Sequence, residues 1–342
     1  VCEVDLTPDT QPVVTFYKHL RRERVAFRID DLRPGQRPQV RIKDALDHYL
    51  VLEREITAGR ALRRLTATQD GEVAYGSGDG TGVTAIDLDR GTVRQAFETP
   101  AAPVALAALP NGDLVIAQES GRLAVHAAGG EVRRTLSTET PGVRALAVSP
   151  DGKRVFTGHV DGMLRGWATA TGERVLQIQG HAGGIRALVV SADGKHLLSG
   201  GLDRRVVVRR ARDGKLVHTL TGHKFPVRCL AVSADGRHAV SGADDMTVRL
   251  WDLRAGEQRR VYRGHTSLVT AVCFLADDRH FVSADMMGAL RVWSVDAATA
   301  LAVRPGTGHA LQEFLAFDDN HLASVRRDGV LALWRQVRTP RH

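Results

Sequence analysis

A chain of 342 residues is longer than the size at which one hydrophobic core usually stops growing, so it is either divided or assembled from many small cores. Apolar residues at 43% and charged residues at 25% are ordinary for a globular protein, and no stretch reaches the roughly 18 uninterrupted apolar residues of a membrane helix. The formal charge of +8 and pI near 9.8 favour encounter with anionic surfaces and say nothing about fold.

The chain opens on Val1 rather than Met, which leaves room for a removed signal or a preceding domain. Pro8 and Pro12 begin an extended lead, and Val13 to Leu20 reads as a short helix or a strand. Val25 to Ile29 alternates like a strand, Arg33 to Pro38 is a turn or loop, and Val40 to Leu46 fits either state. Residues 1–48 lie outside the pattern that fills the rest of the chain and are expected to be a non-repeat extension or the end of a preceding domain. Cys2, Cys229 and Cys273 have no metal-ligand spacing; the last two fall in apolar runs and read as small buried hydrophobes.

From there a unit recurs. Its fullest copy runs from Gly222-His223 through Val227-Arg228-Cys229-Leu230-Ala231-Val232, the Asp235-Gly236 turn and Ser241 to Trp251-Asp252. The Asp-Gly pair stands at 151, 193 and 235 with a further step at Asp277, a spacing of 42. A period near forty residues that opens on Gly-His and closes on Trp-Asp signals a four-stranded propeller blade. On these residues the chain resembles the WD-repeat β-propeller family from about Tyr49 to Arg335. The fold expected is all-β: a seven-bladed propeller over residues 49–342, with inner strands beginning near Leu62, Val104, Val143, Ile185, Val227, Val269 and Leu311. No sequence remains after Trp334 for an outermost strand of the last blade. Tyr49 to Ile56 stands at the right distance before Leu62 to supply it, closing the ring and removing its free edges.

The resemblance implies a buried hydrogen-bond chain in each blade, and His223, Ser241, Asp245 and Trp251 make one full set, His309, Ser324, Asp328 and Trp334 a second. Elsewhere the pattern is eroded. Arg209 takes the Trp position beside His181, Ser199 and Asp203, and Met287 takes the Asp position beside His265, Ser283 and Trp293. Thr157, Asp161 and Trp167 have no Gly-His before them, and Ile86 and His126 replace Trp in the first two repeats. A buried indole N–H, hydroxyl and imidazole must each find a partner, so these sets read as scaffold and not as a hydrolase triad.

In the family the second residue of each inner strand tends to face the channel mouth. Here that ring reads Arg63, Ala105, Arg144, Arg186, Arg228, Thr270 and Gln312. Converging guanidinium groups repel unless acids such as Asp244 or a bound anion stand between them. The plainer alternative is a solvated framework position. Met286-Met287 reads as turn filler or as a patch for an apolar side chain. The Arg204-Arg205 and Arg209 to Arg212 cluster suits a solvated blade edge or contact with phosphates, with few aromatics to stack bases. Gly76 to Gly82 reads as a roomy turn, since neither the lysine nor the helix of a phosphate-binding loop follows.

No metal cluster, cofactor motif or activated nucleophile stands out, so no enzyme, metal or cofactor is expected. The function expected is a protein-protein interaction scaffold, a module of a larger complex or polypeptide, taking an acidic or apolar partner segment at the channel mouth. A basic propeller associated with nucleic acid is the alternative, and a propeller enzyme comes last. Compact Asp-Gly turns and an Arg/Ala-rich composition are in the style of a high-GC bacterium, and the compartment expected is the cytoplasm.

Overall fold

The computed structural model describes residues 3–5, 13–18, 21–26, 45–137, 142–317 and 320–337. The chain divides into two compact units, 1–44 and 45–342. The first holds a three-stranded antiparallel sheet, Glu3–Asp5, Val13–Lys18 and Arg21–Ala26, paired in sequence order. Of its two expected segments, the first is a strand over Val13–Lys18, and the next strand, Arg21–Ala26, overlaps the second only at Val25 and Ala26; residues 19–20 and 27–29 fall outside the described residues. The Arg33 to Pro38 turn, residues 40–44 and Cys2 fall outside the described residues.

The second unit begins at Ala45, four residues before the boundary read from the sequence. A single 3-10 turn, Ala45–His48, buries Leu46 with Leu50, Leu290 and Leu311. After it come seven four-stranded antiparallel sheets among the described residues. Blade 5 is typical, with strands Val227–Val232, His238–Ala243, Val248–Asp252 and Glu257–Tyr262 running from the inside outward. Each second strand is buried on both faces, as in His196–Gly201 and His238–Ala243, whereas outer strands such as Arg174–Gln179 are mostly exposed. This is the burial expected of sheets stacked face to face with their last strand at the rim.

The cores lie between blades. Val240 and Val248 of blade 5 pack with Val269, Phe281 and Trp293 of blade 6, and Leu114 and Ile116 of blade 2 pack with Tyr75 and Val83 of blade 1. A single blade has no partner for its apolar faces, so the ring is stable only as a set. The ring closes through Leu50–Thr57, which pairs along Val330–Gln336 as the outermost strand of blade 7, and the Arg335 guanidinium reaches Glu53 there at 2.8 Å. The core at this seam joins Ile56, Leu62 and Leu65 to Ala323, Val325 and Leu331.

The Asp-Gly turns join first and second strands at one end of the ring. Ser191, Ser233 and Ser149 hydroxyls donate to Asp193, Asp235 and Asp151 at 2.6 Å, each carboxylate also accepts the N–H two residues on, and the glycine follows with φ near +70°. A side chain with Cβ resists that φ, which explains the recurring glycine.

Candidate functional site: the channel mouth

At the opposite end, inner strands begin and second strands turn into third strands. In blade 5 the ladder pairs Val227 with Ala243 and then Cys229 with Gly242, so Arg228 is an extra residue in a β-bulge. The same bulge recurs at Arg144, Arg186, Thr270 and Gln312. A bulged residue is released from the alternation of its strand and can be aimed elsewhere. Here all five line the mouth of the central channel, together with Arg64, around about 1130 Å³ of space open to solvent.

Two members of the expected ring are placed differently. In blade 2 the ladder starts at Pro103, so Val104 occupies the bulge and Ala105 is the next, buried residue, equivalent to Ala145 and Ala187. In blade 1 Arg63 does not line the mouth. Its guanidinium is drawn to Asp79 of its own blade at 2.7 Å, and Arg64 enters the channel instead, donating to the carbonyls of Val104 at 3.2 Å and Arg144 at 3.3 Å. A double arginine at Arg63-Arg64 was the only hint in the sequence.

Whether each arginine is neutralised depends on one further position, the first residue after the second strand. Its N–H donates to the loop before the inner strand in every comparable blade: Asp244 to Pro226 O, Leu202 to Gly184 O, Val160 to Gly142 O and Met286 to Leu268 O, each at 2.9 Å. In blade 5 this residue is Asp244, and both Nε and Nη2 of Arg228 donate to its carboxylate. In blade 1 the corresponding residue is Gly78, and the one after it, Asp79, takes Arg63. In blades 3 and 4 it is Val160 and Leu202, so Arg144 and Arg186 face no carboxylate of their own blades. Both guanidinium groups are exposed, and among the described residues neither side chain has an acceptor. Deeper in the channel, Glu313 accepts the Leu65 N–H at 2.8 Å; burial raises its carboxyl above the usual range, partly opposed by Arg64.

The surrounding turns carry exposed apolar side chains: Val160, Leu202, Phe225, Met246, Met286 and Met287. Met286 thus occupies in blade 6 the place that Asp244 holds in blade 5. Gly184 lies close to both turns, since a Cβ there would lie 3.0 Å from Val160 O and 3.4 Å from Leu202 Cδ1.

Behind this surface, buried polar chains anchor the turns to the strands. In blade 5 the Trp251 indole N–H donates to Ser241 Oγ at 2.8 Å, Ser241 Oγ lies 2.7 Å from His223 Nε2, and His223 Nδ1 lies 2.9 Å from Asp245. Burial alone would raise the Asp245 carboxyl, but hydrogen bonds from His223 and Thr247 outweigh it and hold it well below the usual range. Blade 6 has the same chain through Trp293, Ser283, His265 and Asp285. The carboxylate comes from a position two residues earlier than Met287, where it was expected to be lost. The second set expected, in blade 7, is open. Trp334 donates to Ser324 at 2.8 Å, but Arg326 takes Asp328 and leaves the half-exposed His309 3.7 Å away. In blade 3 His159, from inside the strand, supplies the imidazole to Thr157 at 2.9 Å. In blade 2 His126 stacks on Phe97 with centroids 5.8 Å apart.

Four segments, 130–168, 172–209, 214–252 and 256–294, match the family model of the WD domain, G-beta repeat. Each begins on the outer strand of one blade and ends on the third strand of the next, which is why the first strand must close the last blade. The chain belongs to the WD-repeat β-propellers. The human WD repeat-containing protein 86 is 42% identical over 53 residues, 16% of this chain and 14% of the relative, so the chain covers well under two thirds of that protein. Propellers of this family are generally protein-interaction scaffolds without catalytic activity. No helix among the described residues is long and apolar enough to cross a membrane.

Within this WD-repeat ring the sequence pointed to the bulge position and to Asp244 as an acid beside it, but not to Val160 and Leu202 as the residues that leave Arg144 and Arg186 without one. The signal was available: Val160, Leu202, Asp244 and Met286 each stand two residues after the Gly or Ala of the Thr-Gly, Ser-Gly or Ser-Ala pair in the second strand. Only the structure shows that this residue faces the bulge.

Proposed function

We propose that the propeller is a non-catalytic scaffold, a module of a larger assembly, that docks an acidic segment of a protein partner at the channel mouth. The observation that carries this reading is the pair of exposed arginines, Arg144 and Arg186, left without carboxylates on adjacent blades. Moving a charged group of the partner against them gains Coulomb energy without first breaking an ion pair. The exposed Val160, Leu202 and Met286 around the mouth supply apolar contact, the combination in which interfaces concentrate their binding energy. The imidazole-hydroxyl-carboxylate sets give no support to catalysis, because Ser241 and Ser283 are buried and already receive an indole N–H. The basic edge of blade 4 lends little to nucleic-acid binding, since Arg210 and Arg212 share Asp213.

The test is a photo-crosslinking amino acid at position 202 in the native host, followed by mass spectrometry. A stoichiometric protein partner is expected, lost in the Arg144→Ala/Arg186→Ala variant while the melting temperature stays unchanged. Undiminished capture by the double variant would overturn the reading, and capture of nucleic acid alone, released steeply with salt, would favour the alternative.

A further inference from the structure

Blade 5 contains a working example of how this mouth holds an anion. Arg228 presents Nε and Nη2 to the Asp244 carboxylate, and the carboxylate is delivered by the first residue of the turn. Blades 3 and 4 repeat the backbone of that arrangement, with the same bulge and the same turn hydrogen bond, but put Val160 and Leu202 where the carboxylate would come from. The receiving half of the ion pair is kept and the supplying half is removed, twice, on neighbouring blades.

The charges around the cavity can be accounted for. Arg64, Arg144, Arg186 and Arg228 line it; Asp244 offsets Arg228, and Glu313 lies beside Arg64. The other carboxylates of these turns are engaged elsewhere: Asp161 with the Met163 N–H and Arg165, Asp203 with His181, Asp245 with His223 and Asp285 with His265. Glu119, the corresponding turn residue of blade 2, has only a valine at its bulge. Two uncompensated positive charges remain, side by side. A single carboxylate matches one of them, whereas a phosphate monoester carries close to two negative charges at neutral pH and three acceptor oxygens for two guanidinium forks.

We infer that the group docked at the mouth is the phosphate of a phosphorylated serine or threonine on an extended segment of a protein partner, held between Arg144 and Arg186 with Val160 and Leu202 against its neighbouring residues. The inference rests on the mouth being the docking face. A peptide and not a free phosphate is the occupant because the two arginines share one cavity with the exposed Val160 and Leu202, apolar surface that an inorganic anion would leave uncovered. The arginines line a concave cavity shared with turn residues, a shape that suits an extended peptide better than a flat bilayer.

The test uses the whole chain and three fluorescent peptide pools with identical degenerate flanks and a central phosphoserine, glutamate or serine. The phosphoserine pool is expected to bind about ten-fold tighter than the glutamate pool, with the serine pool weakest. Arg144→Gln and Arg186→Gln should each erase most of that preference with unchanged melting temperature, and Arg228→Gln should reduce it by no more than about three-fold, because its guanidinium is already paired. Leu202→Asp should abolish the preference by installing in blade 4 the carboxylate that blade 5 has. Equal binding of phosphoserine and glutamate pools, both dependent on Arg144 and Arg186, would overturn the phosphate inference and leave acidic docking standing. No pool bound in an arginine-dependent manner would overturn both. Binding to vesicles bearing phosphoinositides, with none to the peptides, would reject the protein partner in favour of a lipid.

Discussion

Blades 4 and 5 are built on the same plan and carry the same buried imidazole, hydroxyl and carboxylate: His181, Ser199 and Asp203 in one, His223, Ser241 and Asp245 in the other. Two of their differences matter here. Where blade 5 has Trp251, blade 4 has Arg209, whose guanidinium donates to the Gly214 and Gln179 carbonyls, with Nε buried and unpartnered among the described residues. Where blade 5 has Asp244, blade 4 has Leu202. The first difference concerns cohesion, since an indole fills the space between blades and closes the polar chain. The second concerns availability, since it decides whether the channel arginine is occupied by its own blade. Stability and binding are thus set by separate residues of one blade.

The contrast in cohesion gives the largest expected effects. Trp251→Ala should lower the unfolding free energy by about 3–5 kcal/mol in urea titration, through the cavity and the lost hydrogen bond to Ser241. Arg209→Ala should cost clearly less, and equal losses would mean that Arg209 packs as well as an indole. Ser241→Ala should cost about 2 kcal/mol because it strands both an indole N–H and an imidazole, and Ser199→Ala about 1 kcal/mol less because no indole depends on it. Comparable values would break the comparison.

Protonation sharpens it further. Burial lowers the His265 pKa below its ordinary value despite the Asp285 carboxylate, and Asp245, Asp203 and Asp285 all lie below the carboxylate range, their partners overcoming the burial that opposes it. For His265 the unfolded chain takes its proton near pH 6.5 and the fold does so only lower, so stability falls as pH drops through that window. The lowered carboxylates contribute stability above about pH 4 that is lost on further acidification. The urea midpoint should therefore decline modestly from pH 7.5 to 5 and steeply below 4, with Asp245→Asn flattening the lower branch. A midpoint that rises between pH 7.5 and 5 would mean that His265 is protonated in the fold.

The smallest effect on stability belongs to the second difference. Leu202→Asp adds a partly exposed ion pair to Arg186 and should change the unfolding free energy by less than about 1 kcal/mol, while removing partner binding that depends on Arg186. A large stability change would show that Leu202 is part of the core and not of a docking surface.

The free thiols follow the reading made from their neighbours. Cys229 and Cys273 sit half-buried in inner strands, packed against the apolar clusters between blades, and burial pushes both thiols up to about 12, which disfavours the reactive thiolate.

The amino-acid sequence by itself determined the propeller, its seven blades and its closure by the strand before Leu62, because period, turn chemistry and apolar runs are local properties that repeat and reinforce one another. It also located the bulge arginines, which recur at a fixed offset. Asp244 could be named from the sequence as an acid among these arginines, but which of them are neutralised came from tertiary structure. Arg228 and Asp244 are sixteen residues apart, and nothing in their spacing distinguishes a facing pair from two solvated charges. Asp285 reaches His265 from two residues before its expected place, and Arg326 removes Asp328 from His309, for the same physical reason. A hydrogen bond or ion pair depends on separations held to within a few tenths of an ångström between side chains on different strands, and only the packed ring sets those separations.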